Sequence, residues 1–332
     1  MQTIQKMIDI ILNADGPVVL AMIVNVVGSA YRKEGSWMLF QRDGTQFGVI
    51  SGGCLENDLQ SRAKDLFETE KVEVVQYDLS AEDDLGWGRG AGCNGVVSVL
   101  IRDIDQEFRR FLYVTHQQLL AKEPVLFIQS MNIFNDYGGI TQNGHRYGNR
   151  KDDLPVKIDT TIPFQHQAGQ ENISDYRFFF QMLWPEPSLY IIGAGADARP
   201  LARLAQSVGY TVHLLDWRQS LCNETHFPTT LSFRIGDVGQ LLETIQFSPL
   251  DSIVIMTHDF QRDMKIIQQI RHIPLLYLGI LGSKKRTRRL VGEEIPEWIH
   301  SPIGLSIDAD GPEEIAVSIV AELIAVRRRK MT

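Results

Sequence analysis

The architecture of the chain follows from residues 188–217, which read SLYIIGAGADARPLARLAQSVGYTVHLLDW. An apolar strand, Ser188–Ile192, leads into Gly193, Gly195 and Ala198, which match the pattern G-x-G-x-x-G/A, and a helical stretch follows. In such a turn the first glycine permits a tight bend, the second lets the backbone approach a ligand, and the small third residue allows close helix–strand packing. The stretch therefore predicts the first strand, turn and helix of a Rossmann-like unit, with helix N–H groups available to an anion.

An acidic residue ends the next predicted strand. Asp216 lies 23 residues after Gly193, where dinucleotide-binding turns place the carboxylate that binds a ribose. Arg218 follows two residues later, and it is expected either to pair with Asp216 or to meet a phosphate. A nucleotide or NAD(P) is therefore one candidate ligand, although a fold alone does not define a hydride-transfer enzyme.

Short apolar strands continue to alternate with helical stretches beyond Asp216. They are predicted at Leu231–Ile235, Ser252–Met256 and Leu275–Leu278. This alternation is what a parallel, doubly wound sheet requires. Residues 187–332 are therefore expected to form a C-terminal Rossmann-like domain.

Two polar residues follow strands at the predicted carboxyl edge of this sheet, where such sheets bind ligands. His258 comes directly after the strand ending at Met256, and it suits acid–base work, ligand contact or simply a helix-capping loop. Ser283 stands in GSKKR (282–286), where it is expected to cap a helix whose N–H groups and cations suit an anion. A basic helix facing solvent is the alternative.

The domain boundary is placed at Trp184–Pro187, because its two prolines cannot donate to a sheet. Residues 1–183 are predicted to form a mixed α+β domain, with a hairpin around Asp43-Gly44. The segment from Asn135 to Ser174 is rich in Asn, Gln, Asp and Gly, and it is expected to form turns and short edge strands rather than core. No internal repeat is apparent in the sequence.

Two of the three cysteines lie in glycine-rich turns of this first domain. Both turns are candidates for one ligand site in which sulfur lies near exposed backbone N–H groups. A buried, inert cysteine is the alternative at each place. The start of a predicted helix favours the thiolate form of the first cysteine. The residues concerned are Ser51, Gly52, Gly53 and Cys54 in the first turn, and Gly92 and Cys93 in the second.

A third polar loop, GSAYRKEG (28–35), follows the first long strand. Arg32 in this loop suits a phosphate or a carboxylate, with a plain surface loop as the alternative. The cysteine spacing matches no zinc pattern, so no metal site and no catalytic residue are assigned.

Composition narrows the class of protein. The chain has 332 residues, 44% hydrophobic and 22% charged, which is ordinary globular usage. Its net charge of −8 argues against a nucleic-acid binder, which carries an excess of basic residues. Three cysteines argue for a reducing compartment, and no apolar run is long enough to span a bilayer. A soluble, cytoplasmic protein is expected.

Seven segments together resemble the XdhC/CoxI family of molybdenum-hydroxylase accessory proteins. In the first domain they are GSAYRKEGSWMLF, DGTQFGVISGGCLENDL and GAGCNGVVSVLI. In the second they are IIGAGADARPLARLAQSVGYTVHLLDWR, IVIMTHDFQRD, YLGILGSKKRTRRL and PIGLSIDADGPEEIAVSIVAELIAVRR. One departure is Asp308, where the family more often has a glycine.

The resemblance implies a maturation factor, more a non-catalytic carrier than an enzyme. Family members are thought to bind the pyranopterin molybdenum cofactor, protect it, and support its sulfuration and insertion into a xanthine dehydrogenase-like hydroxylase. By this resemblance Gly52, Gly53 and Cys54, with Cys93 and Asn94, are expected to line the cofactor site. The implied partners are that client enzyme, a cysteine desulfurase and a second copy of the chain, with no nucleic acid and no membrane.

Two other classes of function remain open on the sequence. The first is an NAD(P)-dependent oxidoreductase that uses Gly193, Gly195 and Asp216, with His258 as acid or base. The second is a docking protein whose glycine loops are purely structural.

Overall fold

The computed structural model describes residues 3–79, 95–150, 168–173, 175–228, 232–292 and 294–330. The chain divides into two compact units, the first ending at Pro185 and the second beginning at Glu186. Each unit contains its own apolar clusters, because within these ranges no cluster of buried residues combines side chains from both.

The first unit begins with a five-stranded antiparallel sheet in the order β3-β2-β1-β5-β4. Its long central strand β1 alternates two buried faces, one towards helix α2 and one towards helices α1 and α3. The hairpin predicted around Asp43-Gly44 is confirmed. The bounds are α1 Ile4–Asn13, β1 Val18–Gly28, β2 Trp37–Gln41, β3 Gln46–Gly48, α2 Glu56–Leu66, β4 Val72–Asp78, β5 Gly95–Asp103 and α3 Gln106–Leu120.

A second antiparallel sheet completes this unit, in the order β8-β7-β6-β10-β9. The expectation that residues 135–174 stay out of the core was wrong for β7, all five residues of which are buried. Two glycines in β7 weaken its apolar signal, yet Tyr137 packs in the main core against Phe108. The bounds are β6 Val125–Ser130, β7 Tyr137–Thr141, β8 Arg146–Gly148, β9 Ala168–Ile173 and β10 Tyr176–Leu183.

The two sheets are copies of one motif, a repeat that was not apparent from the sequence. Each has its first strand at the centre, the following hairpin on one side and the last two strands on the other. The hairpins correspond at an interval of 100 residues: Gly44 and Gly144, and also Gly48 and Gly148, all have positive φ. These φ values favour glycine, which explains why the glycines persist while most other positions differ.

The contacts between the two copies are reciprocal. Arg102 and Gln181 each face the third residue of their central strand, and Trp37 and Tyr137 each begin the second strand of their copy. The indole Nε1 of Trp37 donates to Gln181 Oε1 at 3.0 Å, and the Arg102 guanidinium carbon lies 5.0 Å from the Tyr137 ring centre. Such an exchange of equivalent contacts is the pattern of a two-fold relation, here within one chain.

The second unit is a six-stranded parallel sheet in the order β13-β12-β11-β14-β15-β16, which confirms the predicted Rossmann-like doubly wound fold. The strand predicted at Leu275–Leu278 is observed two residues later, as β15. The bounds are β11 Ser188–Ile192, α4 Ala198–Ser207, β12 Thr211–Asp216, β13 Ser232–Ile235, α5 Val238–Glu243, β14 Ser252–Ile255, α6 Phe260–Ile270, β15 Tyr277–Ile280, α7 Lys284–Val291, β16 Ile299–His300 and α8 Gly311–Lys330.

One departure from the family pattern has a local explanation. Asp308 adopts φ +53°, in the left-handed region that glycine occupies most easily. Aspartate tolerates this region better than most side chains, so the turn before α8 is kept. Within the described part of the chain, no helix has the length and apolarity needed to cross a membrane.

Candidate functional site

The turn between β3 and α2 is held by a serine and a glutamate. The Oγ of Ser51 accepts hydrogen bonds from the N–H groups of Gly53 and Leu55 at 3.2 and 3.0 Å. It also donates to Glu56, whose Oε1 accepts from the N–H of Ser51 at 2.7 Å. Burial acts to raise the pKa of Glu56, but these bonds outweigh it and the pKa lies below its usual range. Ser51 thus holds the turn, and its cofactor contact stays a prediction.

The same turn presents two glycines and a thiol. Gly52 and Gly53 are exposed, no atom of a described residue lies within 4 Å of the place of a Cβ on either, and Gly53 has φ +111°. Cys54 is a half-buried free thiol just before α2. The N–H groups of Gly52 and Cys54 have no acceptor among the described residues. Among the described residues, the turn therefore combines open space, backbone donors without an acceptor and a thiol.

The described parts of three predicted segments meet around one apolar cluster. Cys54, Ala30 of the loop that carries Arg32, and Leu79 at the end of β4 all pack in the cluster beneath α2. Arg32 is half-buried, and its Nε atom is buried without a hydrogen-bond partner in the described ranges. The predicted site residues Gly92, Cys93 and Asn94 lie outside the described residues, in the segment between β4 and β5.

In the second unit, the glycine turn is explained by contacts within the chain. A Cβ on Gly193 would lie 2.5 Å from the carbonyl oxygen of Met256, so only glycine fits between β11 and β14. A Cβ on Gly195 would lie 2.6 Å from a carboxylate oxygen of Asp197. Gly193 is therefore required whether or not a phosphate binds there, whereas a side chain at position 195 would need only a shift of the Asp197 carboxylate.

Asp216 is fully buried and has four hydrogen-bond donors. Its Oδ1 accepts from the N–H and Nε of Arg218 at 2.7 and 2.9 Å, and its Oδ2 accepts from the Ala194 N–H at 2.6 Å and from Arg218 Nη2 at 2.8 Å. A carboxylate offers about four lone-pair sites, so these bonds saturate it. Burial acts to raise the pKa of Asp216, but the Arg218 side chain and both N–H groups bring it below its usual range. Of the two readings of Arg218, the structure shows the ion pair.

His258 bonds to a residue that the sequence analysis missed. Its Nε2 lies 2.7 Å from Oδ2 of Asp197, which precedes α4, and its backbone has φ +60°. Asp197 occupies a variable position of the glycine pattern. The signal in the sequence was a carboxylate at the start of a helix, the end at which an anionic ligand was expected. The pair joins the loops after β11 and β14, where the strand order of the sheet reverses.

Ser283 caps α7 as predicted, its Oγ accepting from the N–H of Arg286 at 3.2 Å. Among the described residues, Ser283 makes no other polar contact that would indicate a ligand site. In the described ranges, no group of three or more His, Cys, Asp or Glu residues is arranged to hold a metal ion.

These features define a two-unit protein, with a cysteine-bearing turn in a duplicated antiparallel unit followed by a Rossmann-type unit. Residues 11–78 match the model of the XdhC and CoxI family, and residues 189–323 match that of the XdhC Rossmann domain. The chain belongs to the XdhC and CoxI family.

Individual relatives resemble most or all of the chain. It is 39% identical over 330 residues to a probable xanthine dehydrogenase subunit of Bacillus subtilis (strain 168), covering 99% of each. It is 24% identical over 318 residues to "Molybdenum cofactor insertion chaperone PaoD" of Escherichia coli (strain K12), covering 93% of this chain and 83% of PaoD. A crystal structure of "a xanthine dehydrogenase" from Bacillus halodurans superposes with a TM-score of 0.87 at 39% identity, covering 99% of this chain and 96% of the other.

Proposed function

We propose that this protein is an accessory factor that binds the pyranopterin molybdenum cofactor and supports its protection, sulfuration and insertion into a xanthine dehydrogenase-like hydroxylase. It acts as a carrier in the cytoplasm and releases the cofactor unchanged in its carbon skeleton. The turn before α2 supports this proposal most directly, because it combines a half-buried thiol with N–H groups that no described residue accepts from. Similarity to a relative named as a cofactor insertion chaperone adds to it.

The chemistry of the cofactor suits the donors of this site. Its phosphate carries negative charge, which suits the N–H groups of Gly52 and Cys54 and the Nε of Arg32, donors that have no acceptor in the described ranges. Its dithiolene and molybdenum are soft groups, which suit a thiolate neighbour such as Cys54. Cys93, with Gly92 and Asn94, is proposed from the sequence as the second contributor. The cofactor itself supplies the redox chemistry of the client enzyme; this chain binds and shelters it.

A separate ligand at the Rossmann unit is a weaker proposal. The strand order and glycine turn suit a nucleotide, and His258 and Ser283 lie at strand ends. A ribose hydroxyl, however, would have to displace a donor already bound to Asp216. An NAD(P)-dependent oxidoreductase remains the second candidate on the strength of the fold. Saturable binding of reduced nicotinamide, followed by its fluorescence, would favour that candidate.

A third candidate follows from the name of the Bacillus subtilis relative, which describes a component of an enzyme. A permanent component remains in the finished hydroxylase at fixed stoichiometry, whereas an accessory factor leaves it. We place the chain in the second group, acting as a homodimer and receiving sulfur from a cysteine desulfurase. Mass measurement of the chain alone, and of each mixture with its proposed partners, tests these assemblies.

The experiment for the main proposal is anaerobic equilibrium binding of the intact protein to freshly released molybdenum cofactor. We expect stoichiometric binding that Cys54→Ala weakens by about tenfold, the loss of one good ligand contact. Cys222→Ala is the matched control, because Cys222 is a buried thiol of the other unit. Equal binding by the wild type and by both Cys54→Ala and Cys93→Ala would refute the role of sulfur, and absence of binding would refute the carrier.

A further inference from the structure

The duplication in the first unit creates a cleft where the two copies meet. The cleft has a volume of about 510 Å³, within the range of small-molecule sites. Two pairs of equivalent residues line it. Asn25 is the eighth residue from the start of β1 and faces Ser98 on β5. Asn132 is the eighth residue from the start of β6, and its Oδ1 accepts from the N–H of Arg177 on β10 at 2.7 Å.

Two further pairs extend the cleft along the outer strands. Gln76 faces Ser98 across β4 and β5, and Asn172 faces Arg177 across β9 and β10. Val74 and Gln170 correspond in the same way, two residues back along each outer strand. All four side chains line the cleft, which therefore follows the two-fold relation between the copies.

Polar groups in the cleft have few partners inside the protein. The side-chain amides of Asn25, Gln76, Gln170 and Asn172 make no hydrogen bond to any described residue, and neither does the Asp175 carboxylate. Each amide has both donors and acceptors to offer. The groups from both copies are therefore available to a ligand that enters the cleft.

The composition of the cleft selects a type of ligand. Amides and one carboxylate match the alternating donors and acceptors on the edge of a planar heterocycle, as Asn and Gln match adenine. Asp175 is suited to accept from a ring N–H and an adjacent amino group. Met131 and Phe134 offer apolar contact to a ring face, and Arg177 offers a cation to an anionic substituent.

We propose that this cleft binds an aminopyrimidinone ring, the chemistry shared by pterins and guanine. The assignment of the ring to the pterin of the molybdenum cofactor rests on the proposed function. Binding of the ring itself rests only on the cleft. It is a second contact region, on the face of the first sheet opposite to the one covered by α2 and Cys54.

The test is fluorescence titration of the intact protein with free pterin and, in a second arm, with guanosine monophosphate. We expect saturable pterin binding that Gln76→Leu and Asn172→Leu each weaken by about tenfold, because each loses hydrogen bonds to the ring. Both residues are exposed, so folding should be retained, as circular dichroism would verify. Gln46→Leu, at an exposed glutamine of β3 outside the cleft, is the matched control.

The outcomes separate the cleft from the carrier function. Tighter binding of pterin supports the assignment to the cofactor, whereas tighter binding of guanosine monophosphate supports the ring chemistry and overturns that assignment. Failure of both to bind, or equal binding by all variants, overturns the cleft proposal. Intact-cofactor binding would then decide the carrier function independently. A chain that binds pterin in the cleft but never binds the cofactor would overturn the carrier function alone.

Discussion

Ser51 determines the conformation of the turn that presents Cys54. Its hydroxyl oxygen accepts from two N–H groups and its proton bonds to Glu56, so its removal leaves the N–H of the buried Leu55 without its acceptor. We expect Ser51→Ala to lower the free energy of unfolding by about 1–3 kcal/mol, measured by urea denaturation. Ser61→Ala, at an exposed position of α2, is the control and should be nearly neutral. Equal effects of the two substitutions would contradict this role of Ser51.

The side chain of Asp216 makes a pH-dependent contribution to the free energy of unfolding. Its folded-state pKa lies below the unfolded value of about 3.9, so its contribution is present above that pH and is lost as pH falls through the folded value. Asp216→Asn should lower the free energy of unfolding near pH 7 by about 2 kcal/mol, because hydrogen bonds to a neutral amide replace charge-assisted hydrogen bonds to a carboxylate. Urea denaturation between pH 7 and pH 3 should show this difference shrinking below about pH 4. A difference independent of pH would contradict the ionised pair.

Hairpins of the two sheets allow a matched comparison of elements. A Cβ on Gly48 would lie 2.5 Å from the Trp37 carbonyl oxygen, and one on Gly148 would lie 2.7 Å from that of Tyr137. Gly44 and Gly144 have positive φ but no such close contact with a described residue.

Alanine at each of these four glycines should therefore produce two classes of effect. We expect Gly44→Ala and Gly144→Ala to cost about 1 kcal/mol from backbone strain. Gly48→Ala and Gly148→Ala should cost about 2–4 kcal/mol, because overpacking adds to the strain. Thermal or urea unfolding measures all four. Unequal losses within a pair would argue that the two hairpins are not equivalent.

The success of sequence reasoning differed between elements for physical reasons. Five of the six parallel strands described in the second unit are short, largely apolar runs between helices, and they were predicted to within about two residues. The sixth, β16, has only two residues and was not predicted. β7 was not predicted as core because two of its five residues are glycines. At one of them, Gly139, the facing ring of Tyr147 occupies the place of a side chain. The thiol turn was recognised from its glycines, but the bonds of Ser51 to Glu56 and of His258 to Asp197 were not, because they depend on side-chain geometry.

At the scale of the whole molecule, duplication was hidden by divergence of the buried positions. Equivalent places hold Trp37 and Tyr137, or Arg102 and Gln181, which preserve a contact while changing its chemistry. The backbone-determined glycines of the hairpins are the clearest identities that remain. A pattern of contacts, and not of residue identity, carries this symmetry.

Each unit should also fold without the other, because each has its own buried clusters. We expect fragments 1–185 and 186–332 to unfold cooperatively when expressed separately, as followed by circular dichroism on heating. The sum of their denaturant dependences should approach that of the intact chain. A fragment that shows no cooperative transition would contradict this independence.

The measurement that tests the carrier function most directly is activation of a cofactor-free molybdenum hydroxylase in a defined anaerobic mixture. Released molybdenum cofactor is supplied with this protein, with its Cys54→Ala variant, or with neither. We predict that the wild-type protein raises the yield of active enzyme and is absent from the purified product, and that the variant raises it less. An equal yield without the protein, or a product that retains the protein at fixed stoichiometry, would contradict the carrier function.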